Sequence, residues 1–314
     1  MSSNVNTSSS VVTPEGRKQL PTIFQKTNYC DGSTDWCLDV RFTAHCDNAC
    51  GFCIAAEDMK SARDFNPVAM LHSVKAHLEV SALSIIGGES LLFLDKLLDF
   101  MKSVENEAPH IKNMYLTTAL PYTLVSQREL FNEILSKTSV LNVSLQHYDD
   151  NVNNFLLKAK KKFSRINLLK SILEVEENRP KIRVHLNLVK GGIDTTEELS
   201  AMLYVLRDMG VQDVKINELM NAPDDYVSFE DMTGITLNSA YAHGCSTEID
   251  FFPGISTTLK RSCFVVEPSR QASKEDLLKL IAKGALPELE KDMNVARVLY
   301  EDGFVANRWQ GDAV

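Results

Sequence analysis

The chain has no apolar run approaching the ~20 residues of a membrane span. Its opening, MSSNVNTSSSVVTPEG, holds none of the hydrophobic core that a secretory leader needs. Positive charge is also in short supply. With 33 Lys and Arg against 42 Asp and Glu, the formal net charge is −9. Such a balance disfavours a nucleic-acid backbone or an anionic membrane as the main partner, while a small anionic substrate needs only a local basic pocket. There is no internal repeat beyond a strand–helix unit, and no low-complexity segment past the N-terminus. These absences predict a cytoplasmic protein that binds neither nucleic acid nor membrane. Residues 1–20 read as a disordered tail and 21–36 as an N-terminal arm.

What is present is ordinary for a globular protein: 44% apolar and 24% charged residues in 314. That length suits one main domain with an appendage. Strands are predicted at 37–46, 82–88, 112–118, 140–147, 181–189 and 211–217. Helices are predicted at about 66–79, after an N-cap at Ser90, and at 126–137, about 164–175 and 195–209. The last of these carries a capping-box pattern, Thr195 with Glu198, an apolar stripe of Leu199, Met202, Leu203 and Leu206, and a closing Gly210. Strand followed by helix, repeated, implies parallel strands joined by helical crossovers, with function at the C-terminal ends of the strands. The rhythm breaks after residue 218. A hairpin turn is expected at Pro253–Gly254, and a last helix at 274–283 behind Ser273. The predicted organisation is a core at 37–220 and a C-terminal extension at 221–314.

Seven cysteines, at 30, 37, 46, 50, 53, 245 and 263, form an odd set in a chain without an export signal. Metal or redox chemistry is the better reading than disulfides. Cys46, Cys50 and Cys53 fall in CDNACGFC, directly after the first strand. Three thiolates so spaced can wrap one face of a cubane and leave its fourth iron open, whereas a purely electron-carrying cluster usually has four cysteines. His45 could be offered as a fourth ligand to zinc, but it adjoins Cys46 and would point the opposite way along a strand.

This CxxxCxxC triad after the first strand of a β/α barrel resembles the radical S-adenosylmethionine superfamily. The resemblance implies a partial (β/α)6 TIM-type barrel, α/β in class, holding a [4Fe–4S] cluster on Cys46, Cys50 and Cys53. The open iron would bind S-adenosylmethionine through its amino and carboxylate groups. Phe52 fits the aromatic place near the adenine. Gly87-Gly88-Glu89 ends the second strand, where glycines let the backbone approach a ligand and a carboxylate can accept from an ammonium; in the family this motif holds the methionyl amino group. Thr118 ends strand three, where relatives often carry Thr-Asn-Gly and Ala119 stands for the Asn. Ser144, Gln146 and Asn187 on strands four and five fall where relatives contact ribose and carboxylate. RVHLNLVKGGID and VKINELM are similar to the molybdenum-cofactor cyclase branch.

Cys245 and Cys263, about a probable hairpin, resemble the start of a twitch or SPASM extension with an auxiliary iron–sulfur cluster. No cysteine follows Cys263, so four thiolates would require Cys30 and Cys37 as well; four ordinary buried cysteines are the alternative. The resemblance further implies a low-potential electron donor, flavodoxin or ferredoxin, and a 5′-deoxyadenosyl radical that takes hydrogen from a substrate. Candidate catalytic residues are Tyr148, Lys190 and Glu218, with His147, His185 and Lys215 nearby at strand ends. The short stretch ahead of the triad leaves little room for a fused peptide-recognition domain, so a small polar metabolite, nucleotide or sugar-like, is expected. Peptide modification is the second reading. A non-catalytic cluster carrier is the third.

Overall fold

The computed structural model describes residues 37–53, 55–56, 58–219, 222–235, 246–260 and 298–306. Its first strand, β1 (Cys37–Arg41), stops earlier than predicted, and the chain reaches Cys46 without strand pairing. Then follow α1 (Pro67–Ala76), β2 (Ala82–Ile86), α2 (Leu94–Glu107), β3 (Asn113–Thr118), α3 (Arg128–Lys137) and β4 (Val140–Ser144). Two helices, α4 (Asp150–Leu156) and α5 (Arg165–Leu173), precede β5 (Ile182–Leu188). The series continues with α6 (Thr196–Asp208), β6 (Asp213–Glu218) and α7 (Phe229–Thr233). The final described strands are β7 (Ser246–Ile249), β8 (Ser256–Lys260), β9 (Val298–Leu299) and β10 (Val305–Ala306).

These strands form one sheet in the order β10-β9-β1-β2-β3-β4-β5-β6-β8-β7. From β9 to β8 every neighbouring pair is parallel, and the outermost strands β10 and β7 are antiparallel to theirs. The sheet is open, with β10 at one edge and β7 at the other, so the barrel is partial, as the sequence predicts. The predicted hairpin turn joins β7 to β8, and Gly254 there takes φ 86. The helix expected at 274–283 lies outside the described residues.

Burial follows the two periodicities. Strand residues such as Leu38, Val40, Leu83, Ile85, Leu116, Val143, Val184, Leu186, Val214 and Ile216 alternate toward the helices and are buried. They meet Leu94, Leu97, Leu98 and Met101 of α2 and Leu199, Met202, Leu203 and Leu206 of α6. Two predicted caps resolve differently. Thr195 caps α6 as expected, accepting from Glu198 N at 3.2 Å. Ser90 is not the cap of α2: it lies inside a one-turn 3₁₀ segment, Ser90–Leu92, whose cap is Glu89, and α2 starts at Leu94. The turn that presents Glu89 occupies the residues an earlier start would use.

The far end of the chain is stapled to the first strand. Arg41, fully buried, donates through Nε to Glu301 Oε2 at 2.8 Å and through Nη2 to the Ser61 carbonyl, with its guanidinium 4.4 Å from the Tyr300 ring centre. Glu301 Oε1 accepts from Arg63 N, and its carbonyl accepts from Asn66 N ahead of α1. Among the described residues no helix is long and apolar enough to cross a membrane. Breaking a buried pair strands a charge, whereas an exposed pair contributes little. Glu301→Ala is therefore expected to lose about 3–5 kcal/mol in denaturant unfolding. Lys75→Ala, which breaks an exposed pair with Glu107, should lose under about 1 kcal/mol.

Candidate functional site

Every strand from β1 to β6 points its C-terminal end the same way, so the loops after them gather at one rim. The loop after β1 carries the triad. Cys46, Cys50 and Cys53 are half-buried and reduced. Cys46 Sγ accepts from Asn48 N at 3.4 Å, and the Cys50 thiol donates to the Leu157 carbonyl at 3.6 Å. Burial pushes the Cys46 thiol up to about 11 and that of Cys50 up to about 12, with the neighbouring thiolates adding to the rise at Cys50. Cys53 is raised by the same burial.

Three sulfurs close enough to oppose one another's ionisation need a cationic centre to be held as thiolates. Among the described residues no group of three His, Cys, Asp or Glu is gathered to hold one metal ion. A cubane asks for something else, one thiolate on each of three irons. The donor set fits it.

Gly87 and Gly88 take φ 80 and 57. At Gly88 a Cβ would stand 2.4 Å from the Thr43 carbonyl oxygen and 2.5 Å from that of His45, so the turn packs backbone to backbone against the segment leading into Cys46. Glu89 N donates to the His45 carbonyl at 2.7 Å. The Glu89 carboxylate is buried and drawn toward the rim of β3. Oε1 accepts from Thr118 Oγ1 at 2.9 Å and Leu91 N at 3.3 Å, and Oε2 accepts from Ala119 N at 2.8 Å. Burial lifts its pKa to about 7 despite these three donors. Both oxygens together offer about four lone-pair positions, so a place for a cationic donor remains. Ala119, which lacks the amide side chain of an Asn, makes its polar contacts through its backbone.

The sequence reading missed Arg165. Its side chain is fully buried at the first position of α5. Nε donates to the Ala119 carbonyl at 2.8 Å, Nη1 to Asn154 Oδ1 at 2.5 Å and Nη2 to Asn48 Oδ1 at 3.1 Å. One guanidinium thus joins the loops after β1, β3 and β4. Burial lowers its pKa, while the charges of Asp47, Glu89, Cys50 and Asp150 oppose the fall. The signal was legible: an arginine directly after the N-cap Ser164 sits at the positive end of the helix dipole, where a cation is disfavoured.

The other predicted residues are placed as follows. Phe52 packs on Leu156, Val189 and Leu219 at the rim. Gln146 is buried, its backbone N donating to Asn153 Oδ1 and its Oε1 accepting from Asn187 N at 3.4 Å. Ser144 lies opposite His185, His185 opposite Lys215, and Asn187 opposite Asn217. Alternation puts these side chains on the sheet face away from the helices. His147 accepts at Nδ1 from Asp149 N, so its proton is on Nε2, which donates to Glu198 at 2.9 Å. Glu198 therefore does not return to the Thr195 amide as a capping box would. Tyr148 stacks on His147 and is raised by its hydrogen bond to the same glutamate. Lys190 is exposed and donates to the Asp224 carbonyl. Glu218 is buried and accepts from Phe229 N, tying down the start of α7.

Cys37 opens β1 at the N-terminal end of the sheet and packs with Ala82, Tyr115 and Val140. Ser246 pairs with Lys260, and Asn217 with Lys260, at the C-terminal end. The segments flanking Cys245 and Cys263 thus enter and leave the sheet side by side, and Cys37 is set apart from them. Cys30, Cys245 and Cys263 themselves lie outside the described residues.

The profile of the Radical SAM superfamily matches residues 40–217, more than half the chain. The chain belongs to that superfamily, whose fold implies a [4Fe–4S] cluster and S-adenosylmethionine. No curated protein matches it at a significant level. Among solved structures the fold is similar to Streptococcus suis SuiB bound to S-adenosylmethionine, at TM-score 0.55 and 16% identity over 89% of this chain and 61% of that one. It is similar to anSMEcpe with bound AdoMet and Cp18Cys peptide, at 0.50 and 12% over 87% and 74%. A radical SAM methyltransferase from Sphaerobacter thermophilus gives 0.52 and 15% over 74% and 67%. At such identities the likeness is one of fold, and the chain spans about three-fifths of the SuiB chain.

Arg165→Met keeps an unbranched stem of similar reach and removes every donor. Leaving three buried acceptors unpaired should cost at least about 3 kcal/mol, read by denaturant unfolding. Iron bound per chain after anaerobic reconstitution should fall with it. Unchanged stability and iron would make Arg165 a bystander.

Proposed function

We propose that the protein holds a [4Fe–4S] cluster on Cys46, Cys50 and Cys53 and binds S-adenosylmethionine beside it, with Gly87, Gly88 and Glu89 receiving the amino group. The observation that carries this is the buried Glu89 carboxylate, fixed by Thr118 and Ala119 and joined through Gly88 to the segment that enters the triad. A desolvated carboxylate with an acceptor position to spare favours an ammonium partner. When bound, the cluster and S-adenosylmethionine supply reductive cleavage of a carbon–sulfur bond and with it a 5′-deoxyadenosyl radical that abstracts hydrogen. The chain's own residues bind, orient and exclude water. Phe52 offers its ring to the adenine from the apolar rim cluster. Ser144, Gln146 and Asn187 supply polar groups for ribose and carboxylate.

The substrate we propose is a small polar metabolite with an anionic group, nucleotide or sugar-like. Supporting this, the sheet face away from the helices carries Arg183, His185, Lys215 and Lys260 on adjacent strands, and the charges of Lys215, Arg183 and Lys260 together with burial hold His185 well below its usual pKa. Arg183 is paired with Asp213. Tyr148, Lys190 and Glu218 stay as rim residues of that region in this reading. A peptide substrate is the second reading, because SuiB has been solved with precursor peptide SuiA, at TM-score 0.52. The segment after 220 is read as an extension in which Cys245 and Cys263 serve an auxiliary cluster, for which Cys30 and Cys37 are the other thiols outside the triad.

Anaerobically reconstituted protein with dithionite should yield 5′-deoxyadenosine and methionine, and Cys50→Ala should abolish both. Undiminished turnover in that variant sinks the reading. Deuterated nucleotides, sugar phosphates and peptides can then be compared, the true class being the one that passes deuterium into 5′-deoxyadenosine.

Glu89→Ala should weaken S-adenosylmethionine binding by about 1.5–3 kcal/mol, the value of a lost charge-assisted bond, while leaving most of the iron in place. Equal loss of iron and binding would reassign Glu89 to holding the fold.

A further inference from the structure

The loop between α4 and α5 reads LKAKKKF over residues 157–163. Lys158, Lys160, Lys161 and Lys162 are all exposed. Four exposed cations within five residues make a local positive patch on a chain whose net charge is −9. The loop is bonded to the segment that holds the triad. Ala49 N donates to the Leu157 carbonyl at 3.0 Å, and Lys160 N to the Asp47 carbonyl at 3.0 Å. Lys160 Nζ donates to the Cys46 carbonyl at 3.2 Å, and the Cys50 thiol reaches the Leu157 carbonyl. Lys158 takes φ 47, a left-handed conformation in which Gly or Asn would sit without strain.

Aromatic surface accompanies the charge. Phe155 is 76% exposed one turn before the lysines, and Tyr122 is 39% exposed. Lys161 Nζ stands 3.1 Å from the centre of the Tyr122 ring, whose edge meets Phe163. Asp225 borders Gly51 beside Lys158 and is the nearby counter-charge on the rim. Exposed aromatic anchors ringed by one sign of charge form a common protein-binding surface.

We propose that this lysine loop, with Phe155 and Tyr122, is the docking surface for an acidic one-electron carrier protein of the flavodoxin or ferredoxin kind. The inference rests on the cluster assignment above and adds the place where the reductant arrives. An electron carrier must bring its redox centre close to the triad, and it needs an approachable face and not a deep pocket. This loop is bonded to Cys46, Asp47, Ala49 and Cys50, so a protein seated on it lies against the cluster's own binding segment. Opposite charge steers the encounter, and a carrier bearing excess Asp and Glu is repelled elsewhere by this acidic chain. In the encounter the carrier is oxidised by one electron and the cluster is reduced by it; no proton or group is transferred. A basic surface with aromatics also describes a single-strand nucleic-acid platform, but the net charge opposes a polyanion beyond the patch, and contact with the triad segment has no part in such binding.

The test compares wild-type holoenzyme with Lys161→Glu/Lys162→Glu and Lys161→Gln/Lys162→Gln, two side chains that face solvent and hold neither the triad nor Glu89. The probe is a purified bacterial flavodoxin, oxidised for binding and as hydroquinone for turnover. Binding to the Glu variant should weaken about tenfold or more, with a flatter salt dependence and the Gln variant between. Flavodoxin-driven 5′-deoxyadenosine formation should fall in parallel, and dithionite-driven formation should not change. Equal affinity and salt dependence in all three proteins overturns the proposal. So does a labelled single-stranded RNA that binds wild type more tightly than flavodoxin and loses affinity in the variants. If dithionite drives no cleavage in wild type, the radical reading fails, and the binding arm still judges the docking surface. Should the Glu variant misfold by circular dichroism, the Gln variant decides the matter.

Discussion

The buried guanidinium of Arg165 is the constraint around which the rim is built. A cation taken fully out of water is tolerated only if its donors are used and its charge is answered. Here the donors go to Ala119, Asn154 and Asn48, and the charges that answer it are those of Asp47, Glu89, Cys50 and Asp150. Asn48 lies inside the triad segment, Ala119 also donates its N–H to Glu89, and Asn154 lies in α4, which leads into the lysine loop. A shift of this one side chain would disturb the triad segment, the Glu89 carboxylate and the proposed docking face together. Its charge also favours the Cys50 thiolate, against burial that pushes the thiol upward.

Parallel topology makes this economy possible. Because β1 to β6 run the same way, the segments after β1, β2, β3 and β4 meet at one end of the sheet, and one side chain can reach three of them. The Gly88 turn needs the same convergence. Only a residue without Cβ lets it lie against the Thr43 and His45 carbonyls, and only then does Glu89 reach Thr118 and Ala119 of the neighbouring strand. At the other edge, Arg41 and Glu301 perform a comparable function for the fold, joining β1 to the last described segment across 260 positions.

Much of this was legible in the residues. The triad, the glycine pair and the strand–helix series have short-range spacing that physics constrains tightly. Thr195 also capped α6 as its pattern promised. What was not legible has a physical reason in each case. Ser90 looks like a cap by type, but the claim on that turn came from Glu89, whose partners lie on β3. Glu198 fits a capping box by spacing, yet His147 from the loop after β4 takes its carboxylate. Glu218, read as a rim acid, also receives the Phe229 amide, which its spacing did not show. α4 was overlooked although Asp149 caps it and Phe155 and Leu156 follow at helical intervals, because a short helix rich in Asn reads as a loop. Long-range partners, which propensity does not see, decided the first three.

Charge is distributed in this protein by what each surface must meet. The chain is acidic overall, so any cation cluster works against the background field and is conspicuous for it. Two such departures are present among the described residues. One lies on the sheet face away from the helices, where burial and the charges of Lys215, Arg183 and Lys260 hold His185 below its usual pKa. The other is the exposed lysine loop bonded to the triad segment. The proposed carrier and the proposed anionic substrate would then meet separate basic surfaces, one facing solvent and one facing the interior, with neither competing for the other's place. The lysines stay in water, where screening keeps protein docking reversible. The interior cations lie in the more sheltered setting, where the same charges act more strongly on a small ligand.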